Sequence, residues 1–236
     1  MKFKNEENGI ARVRFEAIAS TNDYAKEKRG EGKPLIITAK KQSKGRGTKG
    51  RSFVSNEGGV YLSVLRFYEK FPAKEGFKIM ANAAASVCET LRGFGLSPVI
   101  KWANDVFVND KKICGILIEN TFSGVFVQSS VVGIGLNVNG FFEGELKEIA
   151  TSMQEVAGKT FSVEEVTERL IEALLKEREM QDYLSYIGYM GSEVKLILGD
   201  EQVRGRLLSV DEEGGLLVEI GGEKRRLTSA EVSIRL

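Results

Sequence analysis

Two strand-like runs, residues 34–39 (PLIITA) and 60–66 (VYLSVLR), are joined by a long basic loop punctuated with glycine. Its centre, residues 40–53, reads KKQSKGRGTKGRSF and carries Lys40, Lys41, Lys44, Arg46, Lys49 and Arg51 with no acid among them. A connection of this length inside a compact domain is functional or disordered far more often than it is mere linkage. Gly45, Gly47 and Gly50 let the backbone approach a ligand closely. Their free N–H groups and the neighbouring guanidinium groups together suit an anion. Taken alone, the loop also reads as a solvated basic segment of the kind found on nucleic-acid-binding tails.

Composition narrows the choice. The chain has 236 residues, 42% hydrophobic and 28% charged, enough for one large domain and one small one. Its formal net charge is +1, so the basic loop is a local feature and no global attraction to nucleic acid or membrane is expected. No apolar run is long enough to span a bilayer and the first eight residues are polar, which points to a cytoplasmic protein. Cys88 and Cys114 lie far apart in apolar surroundings and read as free thiols, with no zinc site. The chain has no histidine, which excludes Ser-His-Asp and Cys-His catalysis.

Taken in order, residues 12–19 (RVRFEAIA) read as a first strand, followed by the N-cap candidates Ser20, Thr21 and Asn22 and a short helix stopping at Gly30. For that trio, capping is the simplest local reading. Residues 75–92 place Phe77, Met80, Ala84, Val87, Cys88 and Leu91 on one helical face. Residues 99–104 (VIKWAN) end a strand, and 105–108, the turn 109–110 and 111–119 form a hairpin. Another apolar run, 125–138, closes with GIGLNVN. Ser162 and Glu165 form a capping box that opens a long helix running to about Gly188. Beyond Met190 the character changes to short strands at 194–198, 203–210, 216–220, 225–227 and 232–234, divided by glycine turns. That pattern predicts a small all-β barrel and the domains 1–189 and 190–236.

Four stretches then occur together: Ser20-Thr21-Asn22, the loop GRGTKGRSF, KWAND with KKICGIL, and GIGLNVN. In this order they resemble the biotin protein ligases, also called biotin–[acetyl-CoA-carboxylase] ligases, over nearly the whole chain. The resemblance implies an α+β fold, a mixed β-sheet flanked by helices of the class II aminoacyl-tRNA synthetase/biotin ligase type, with a C-terminal SH3-like β-barrel. It implies an ATP-dependent ligase that needs Mg²⁺. The biotin carboxylate attacks the α-phosphate of ATP, and a lysine of a biotin carboxyl carrier protein or domain then displaces AMP from biotinyl-5′-AMP. Two anions must meet in the first step, so fixed cations are needed, while an ionised carboxylate needs no histidine base.

By the same resemblance, Ser20, Thr21, Asn22, Gln42, Arg46, Gly47, Thr48, Lys112 and Gly115 are the biotin side of the site. Arg46, Arg51, Phe53, Trp102, Asn104, Lys112 and Asn137 are the ATP side, and Lys112, Arg46 and Asp105 the catalytic set, with no dedicated protein metal site. Three positions depart from the family pattern: Thr48 stands where arginine is usual, Phe53 where tryptophan is, and Ala103 where proline is. Each residue also has a plainer reading. Trp102 alone reads as core, Lys111 and Lys112 as a solvated hairpin tip, Asp105 as a turn residue, and Asn137 as the end of a strand.

Two rivals remain at this level. Lipoate or octanoyl transfer uses a related fold, but the GRG-x-x-GR loop and KW-x-N-D speak against it. A nucleic-acid-binding module would use the loop and the barrel as contact surfaces. DNA-binding relatives carry an N-terminal helix-turn-helix, for which the residues before Arg12 leave no room, so no specific DNA binding is expected. Oligomeric state is left open, a homodimer included.

Overall fold

The computed structural model describes residues 2–7, 10–198, 201–228 and 232–235. An eight-stranded mixed sheet dominates it. In chain order its strands are β1 (Lys2–Glu7), β2 (Ile10–Ile18), β3 (Leu35–Gln42), β4 (Val60–Pro72), β5 (Val99–Lys101), β6 (Asp105–Val108), β7 (Lys111–Ser123) and β8 (Phe126–Leu136). Their spatial order is β1-β2-β3-β4-β8-β7-β6-β5. Only β2 and β3 run parallel, and the short helix α1 (Thr21–Glu27) lies in the crossover that such a pair requires. The polar strand β1 carries no apolar alternation that sequence reading could use, and it pairs with β2.

The apolar patterns put the two faces of this sheet to different uses. Leu62, Ile116 and Ile134 join Ala84, Val87, Cys88 and Leu91 of helix α2 (Phe77–Gly93) in the main core. On the opposite face Val13, Leu35, Ile37, Leu65 and Val131 pack under Ala25, with Tyr24 edge-on to Phe15 at 5.0 Å. This second cluster holds α1 on the sheet. Further along, β4, β8 and β7 bring Ser63 opposite Gly133, Tyr61 opposite Gly135, and Gly135 opposite Gly115. Side chains alternate along a strand, so these positions share one face and leave it open as a floor.

The expected helix from Ser162 to Gly188 is two helices, α5 (Val163–Leu175) and α6 (Met180–Leu184), the others in this region being α3 (Leu146–Ile149) and α4 (Met153–Ala157). The break has a physical cause, because neighbouring side chains claim the end carbonyls of α5. Ser86 Oγ donates to Ala173 O at 3.0 Å, Arg66 Nη2 to Leu174 O at 2.5 Å, and Asn82 Nδ2 to Lys176 O at 2.7 Å. Ser162 caps α5 as expected, but the Glu165 carboxylate turns to Arg169 at 2.7 Å instead of completing a capping box. Helix α1 ends at Glu27, short of the stop at Gly30 expected from sequence, and Gly32, with φ +64°, takes the left-handed turn that follows.

The C-terminal strands β9 (Glu193–Leu198), β10 (Glu201–Val210), β11 (Leu216–Ile220), β12 (Glu223–Leu227) and β13 (Val232–Arg235) form one antiparallel sheet ordered β12-β11-β10-β9-β13. Among the described residues its ladder does not close. Val194, Leu196, Leu207, Leu216 and Val218 belong to the same buried cluster as α2, so the two sheets share a continuous core. Trp102 joins them. Its ring is 6% exposed, its Nε1 donates to Gly214 O at 3.1 Å, and its backbone N donates to Tyr189 Oη at 2.5 Å. Replacing Trp102 with phenylalanine removes the indole donor and leaves a buried carbonyl unmet, at a cost of about 1–3 kcal/mol. Thermal unfolding should begin several degrees lower, and an unchanged melting temperature would count against this anchor.

Candidate active site

Helix α1 delivers three polar residues to the open floor. Ser20, Thr21 and Asn22 are only 3–6% exposed, so each must be hydrogen-bonded. Ser20 does the capping, its Oγ accepting from Asp23 N at 3.2 Å. Thr21 donates to Gln42 Oε1 through both its backbone N (2.8 Å) and its hydroxyl (3.0 Å). Gln42 Nε2 donates to Ser55 Oγ at 3.1 Å. Asn22 stands directly over β8: a Cβ on Gly133 would lie 2.1 Å from Asn22 Oδ1, so no larger residue fits there without displacing the amide. Capping therefore accounts for Ser20 but not for Thr21 or Asn22.

The basic loop doubles back over this floor. Phe53 N donates to Gly45 O at 2.9 Å and Gly47 N to Arg51 O at 2.7 Å, while Arg46 and Ser52 form a β-bridge. Gly45 is required by space, since a Cβ there would meet Phe53 O at 2.4 Å. Arg46 reaches out to the Asp23 carboxylate and comes within 3.7 Å of Glu119. Arg51 folds back on the loop, its Nη2 donating to Thr48 Oγ1 at 3.2 Å. The Phe53 ring rests on the glycine floor, where a Cβ on Gly135 would come within 2.5 Å of it and one on Gly115 within 3.3 Å.

The β6–β7 hairpin supplies the remaining charges. Lys112 Nζ lies 2.7 Å from Asp105 Oδ1, both side chains being partly exposed to the cavity. Asn104 Nδ2 donates to Ile116 O at 2.9 Å and Asn137 Nδ2 to Thr151 O at 3.0 Å. The first bond ties the turn before β6 to the middle of β7, and the second fixes the end of β8.

A cavity of about 250 Å³ lies among these elements. Ser20, Thr21, Asn22, Gln42, Arg46, Gly47, Thr48, Arg51, Phe53, Asn104, Asp105, Lys112, Gly115 and Asn137 all line it. Of the residues singled out from sequence, Trp102 does not. Its ring is committed to the shared core, as its lone apolar character allowed. Sequence reading missed Phe142, Leu146, Ile149 and Ala150 on the rim, and Ser63 and Glu119 behind the wall. A lone hydroxyl in VYLSVLR and a lone carboxylate in KICGILIE were the available signals for the last two. Another cavity, of about 430 Å³, opens between β2–β4 and α5. Its walls are bound by the ion pairs Arg12–Glu168 (2.6 Å) and Arg14–Glu164 (3.1 Å).

Arg46, Arg51 and Lys112 face the site cavity against a single carboxylate, Asp105. Arg46 is also held by Asp23, outside the lining, and Lys112 by Asp105, so both cations are positioned at the cavity by carboxylates. Among the described residues there is no group of three or more His, Cys, Asp or Glu that could hold a metal by itself.

Comparison with known proteins gives the family. Residues 14–137 match the biotin/lipoate A/B protein ligase family, and residues 189–235 match the biotin protein ligase C-terminal domain. The bifunctional ligase/repressor BirA of Bacillus subtilis is 30% identical over 98% of this chain and 76% of its own length. The protein of the same name from Escherichia coli is 32% identical over 92% of this chain and 72% of its own. Among solved structures, the biotin protein ligase from Aquifex aeolicus in complex with biotin and ATP superposes with a TM-score of 0.75. It is 31% identical, covering 95% of this chain and 98% of that one. The chain is a member of the biotin/lipoate A/B protein ligase family, of the biotin ligase branch that carries the additional C-terminal domain.

Proposed function

We propose that this chain activates biotin with ATP to biotinyl-5′-AMP and transfers the biotin to a lysine of a biotin carboxyl carrier domain. The observation that carries this reading is the set of cations lining the glycine floor: Arg46, Arg51 and Lys112, with Arg46 held by Asp23 and Lys112 by Asp105 until an anion engages them. A carboxylate and a triphosphate repel each other, and at an effective dielectric near 20 one cation at 4 Å offsets about 4 kcal/mol of such repulsion before desolvation costs. Thr21, Asn22 and Gln42 provide a hydrogen-bonding end for the biotin headgroup. Lys112 stands where the two reacting anions meet, and Asn137 and the apolar rim take the nucleotide side. Mg²⁺ would be carried chiefly by the triphosphate, with Asp105 the carboxylate lining that part of the cavity.

In this reading residues 1–189 do the chemistry and 190–236 form a small SH3-like barrel, to which Trp102 ties the catalytic part. The free thiols of Cys88 and Cys114 suit the reducing, ATP-rich cytoplasm. Incubation with biotin, ATP, Mg²⁺ and a carrier domain should add the mass of one biotin to the carrier. Lipoate in place of biotin should add nothing, and the reverse result would move the activity to the lipoate branch.

The loop should also respond to ligand. Residues 43–52 have few apolar anchors and carry repelling charges, so the segment should open readily and be ordered by biotin or the adenylate. Limited proteolysis at Lys44–Arg51 is expected to slow several-fold when biotin and ATP are added. Equal nicking rates with and without ligand would contradict it.

A further inference from the structure

Glu119 lies on β7, close behind the wall but not lining the cavity. Its Oε2 accepts from Asn22 Nδ2 at 3.0 Å, and its Oε1 lies 2.8 Å from Lys26 Nζ and 3.7 Å from Arg46 Nη2. Arg29 Nη2 donates to its backbone carbonyl at 2.6 Å, which holds the strand at this point. Burial pushes the carboxyl up. Hydrogen bonds from Lys26 and Asn22 and the charges of Lys26 and Arg46 outweigh that and hold it below the usual carboxylate range.

An ionised carboxylate can only accept hydrogen bonds. It therefore dictates which end of the Asn22 amide it meets: the NH₂ faces Glu119, and Oδ1 is turned over Gly133, which lines the cavity. There a proton is short. Ser63 Oγ lies 2.6 Å from Asn22 Oδ1 and 2.8 Å from Thr21 Oγ1, but a hydroxyl has a single proton to give. The Thr21 proton is directed to Gln42 Oε1 at 3.0 Å. Two acceptors on the cavity wall thus compete for one donor, and a ligand N–H can satisfy the one left over.

We propose that Glu119 is a positioning residue that fixes Asn22 as a hydrogen-bond acceptor and so selects a headgroup bearing N–H donors, such as a cyclic urea, over one that has none, such as a dithiolane or a plain acyl chain. The inference rests on the biotin reading above and assigns the source of its headgroup preference. Lys26 and Arg46 keep the carboxylate charged, and the charge keeps the amide from flipping.

The test is a polarity swap in the full chain. In Glu119→Gln, Lys26 still donates to the remaining oxygen, which turns the new NH₂ toward Asn22 and favours the flipped Asn22 amide with its own NH₂ toward the cavity. Biotin binding, measured by calorimetry, should weaken about tenfold, the loss of roughly one well-placed hydrogen bond. KM for biotin should rise in parallel, with KM for ATP and the adenylation rate at saturating biotin unchanged. The double variant Asn22→Asp with Glu119→Gln keeps the net charge and reverses the pair. The amide now on β7 then donates to the carboxylate now on α1, whose other oxygen again faces the cavity as an acceptor, so affinity should return to within a few-fold of wild type. Unaltered biotin affinity in Glu119→Gln overturns the proposal, as does a loss that the double variant fails to restore. A uniform drop in melting temperature and rate without a selective rise in biotin KM also overturns it. If wild type binds no biotin at all, the functional reading falls as well, which separates that failure from the others.

Discussion

Replacing Lys112 with alanine should leave a folded protein that makes biotinyl-5′-AMP at about a hundredth of the normal rate or less, the usual effect of removing one electrostatic donor to a developing charge. Lys112 is aimed by its backbone. It is the second residue of β7, bridges to Ala150, and its carbonyl accepts from Thr151 N at 3.0 Å. Asp105, 2.7 Å from its Nζ, holds the ammonium group at the cavity before any ligand enters, which is preorganisation. Its side chain is 32% exposed, so deletion removes little packing and should barely change the melting temperature. Neighbouring Lys111 provides the control. Its Nζ donates to Lys147 O at 2.6 Å on the exposed side of the hairpin, and Lys111→Ala should adenylate normally. The measurement is pyrophosphate release with biotin and ATP saturating. Wild-type release from a folded Lys112→Ala protein would remove Lys112 from the chemistry.

How much of this could be read from the sequence differs by residue, for physical reasons. The main core was legible because its strands are continuous apolar runs and the 75–92 segment repeats at helical spacing, which α2 reproduces within two residues. The helix after Ser162 was overextended because its apolar spacing continues through Tyr183 and Leu184. What stops it, Arg66, Ser86 and Asn82 on its end carbonyls, comes from segments far away in the chain. Arg46, Gly47, Lys112 and Gly115, which line the cavity, could be singled out because the combination of loop and hairpin is unusual. Trp102 was misplaced because an aromatic ring carries no mark of which cavity it fills, and here it fills the join between the sheets. Glu119 and Ser63 were overlooked because their partners, Asn22 and Thr21, are brought to them only by the sheet. The departures Thr48 and Phe53 now have a local account. Thr48 holds Arg51 through its hydroxyl, and Phe53 fits edge-on to Tyr61, ring centroids 6.5 Å apart, above glycines that leave it room.

Asp105→Asn should divide the two half-reactions. The acceptor lysine of the carrier has a reference pKa near 10.4, so at neutral pH only about one molecule in a thousand or fewer holds a free amine. Something must orient that amine and help take its proton. Asp105 is the carboxylate lining the cavity, and it sits 2.7 Å from Lys112, beside the phosphate end of the adenylate in the proposed arrangement. In that arrangement the carboxylate would hold Lys112 before transfer and, once the adenylate engages Lys112, be released to face the incoming ammonium. Asparagine keeps the shape and frees Lys112 for the anions, so adenylate formation should continue at close to the normal rate. Transfer to the carrier should slow by about a hundredfold, at the lower end of what a positioned base contributes. The sign of the pH dependence follows from the amine. As pH rises the free amine becomes commoner, the base matters less, and the gap between Asp105→Asn and wild type should narrow. Single-turnover transfer from preformed adenylate, followed by the mass of the carrier between about pH 6.5 and 9, reads this directly. A variant that fails to make the adenylate would place Asp105 in the first half-reaction with the metal or the nucleotide. A variant that transfers at the normal rate, or whose deficit is the same at every pH, would remove it from proton transfer altogether.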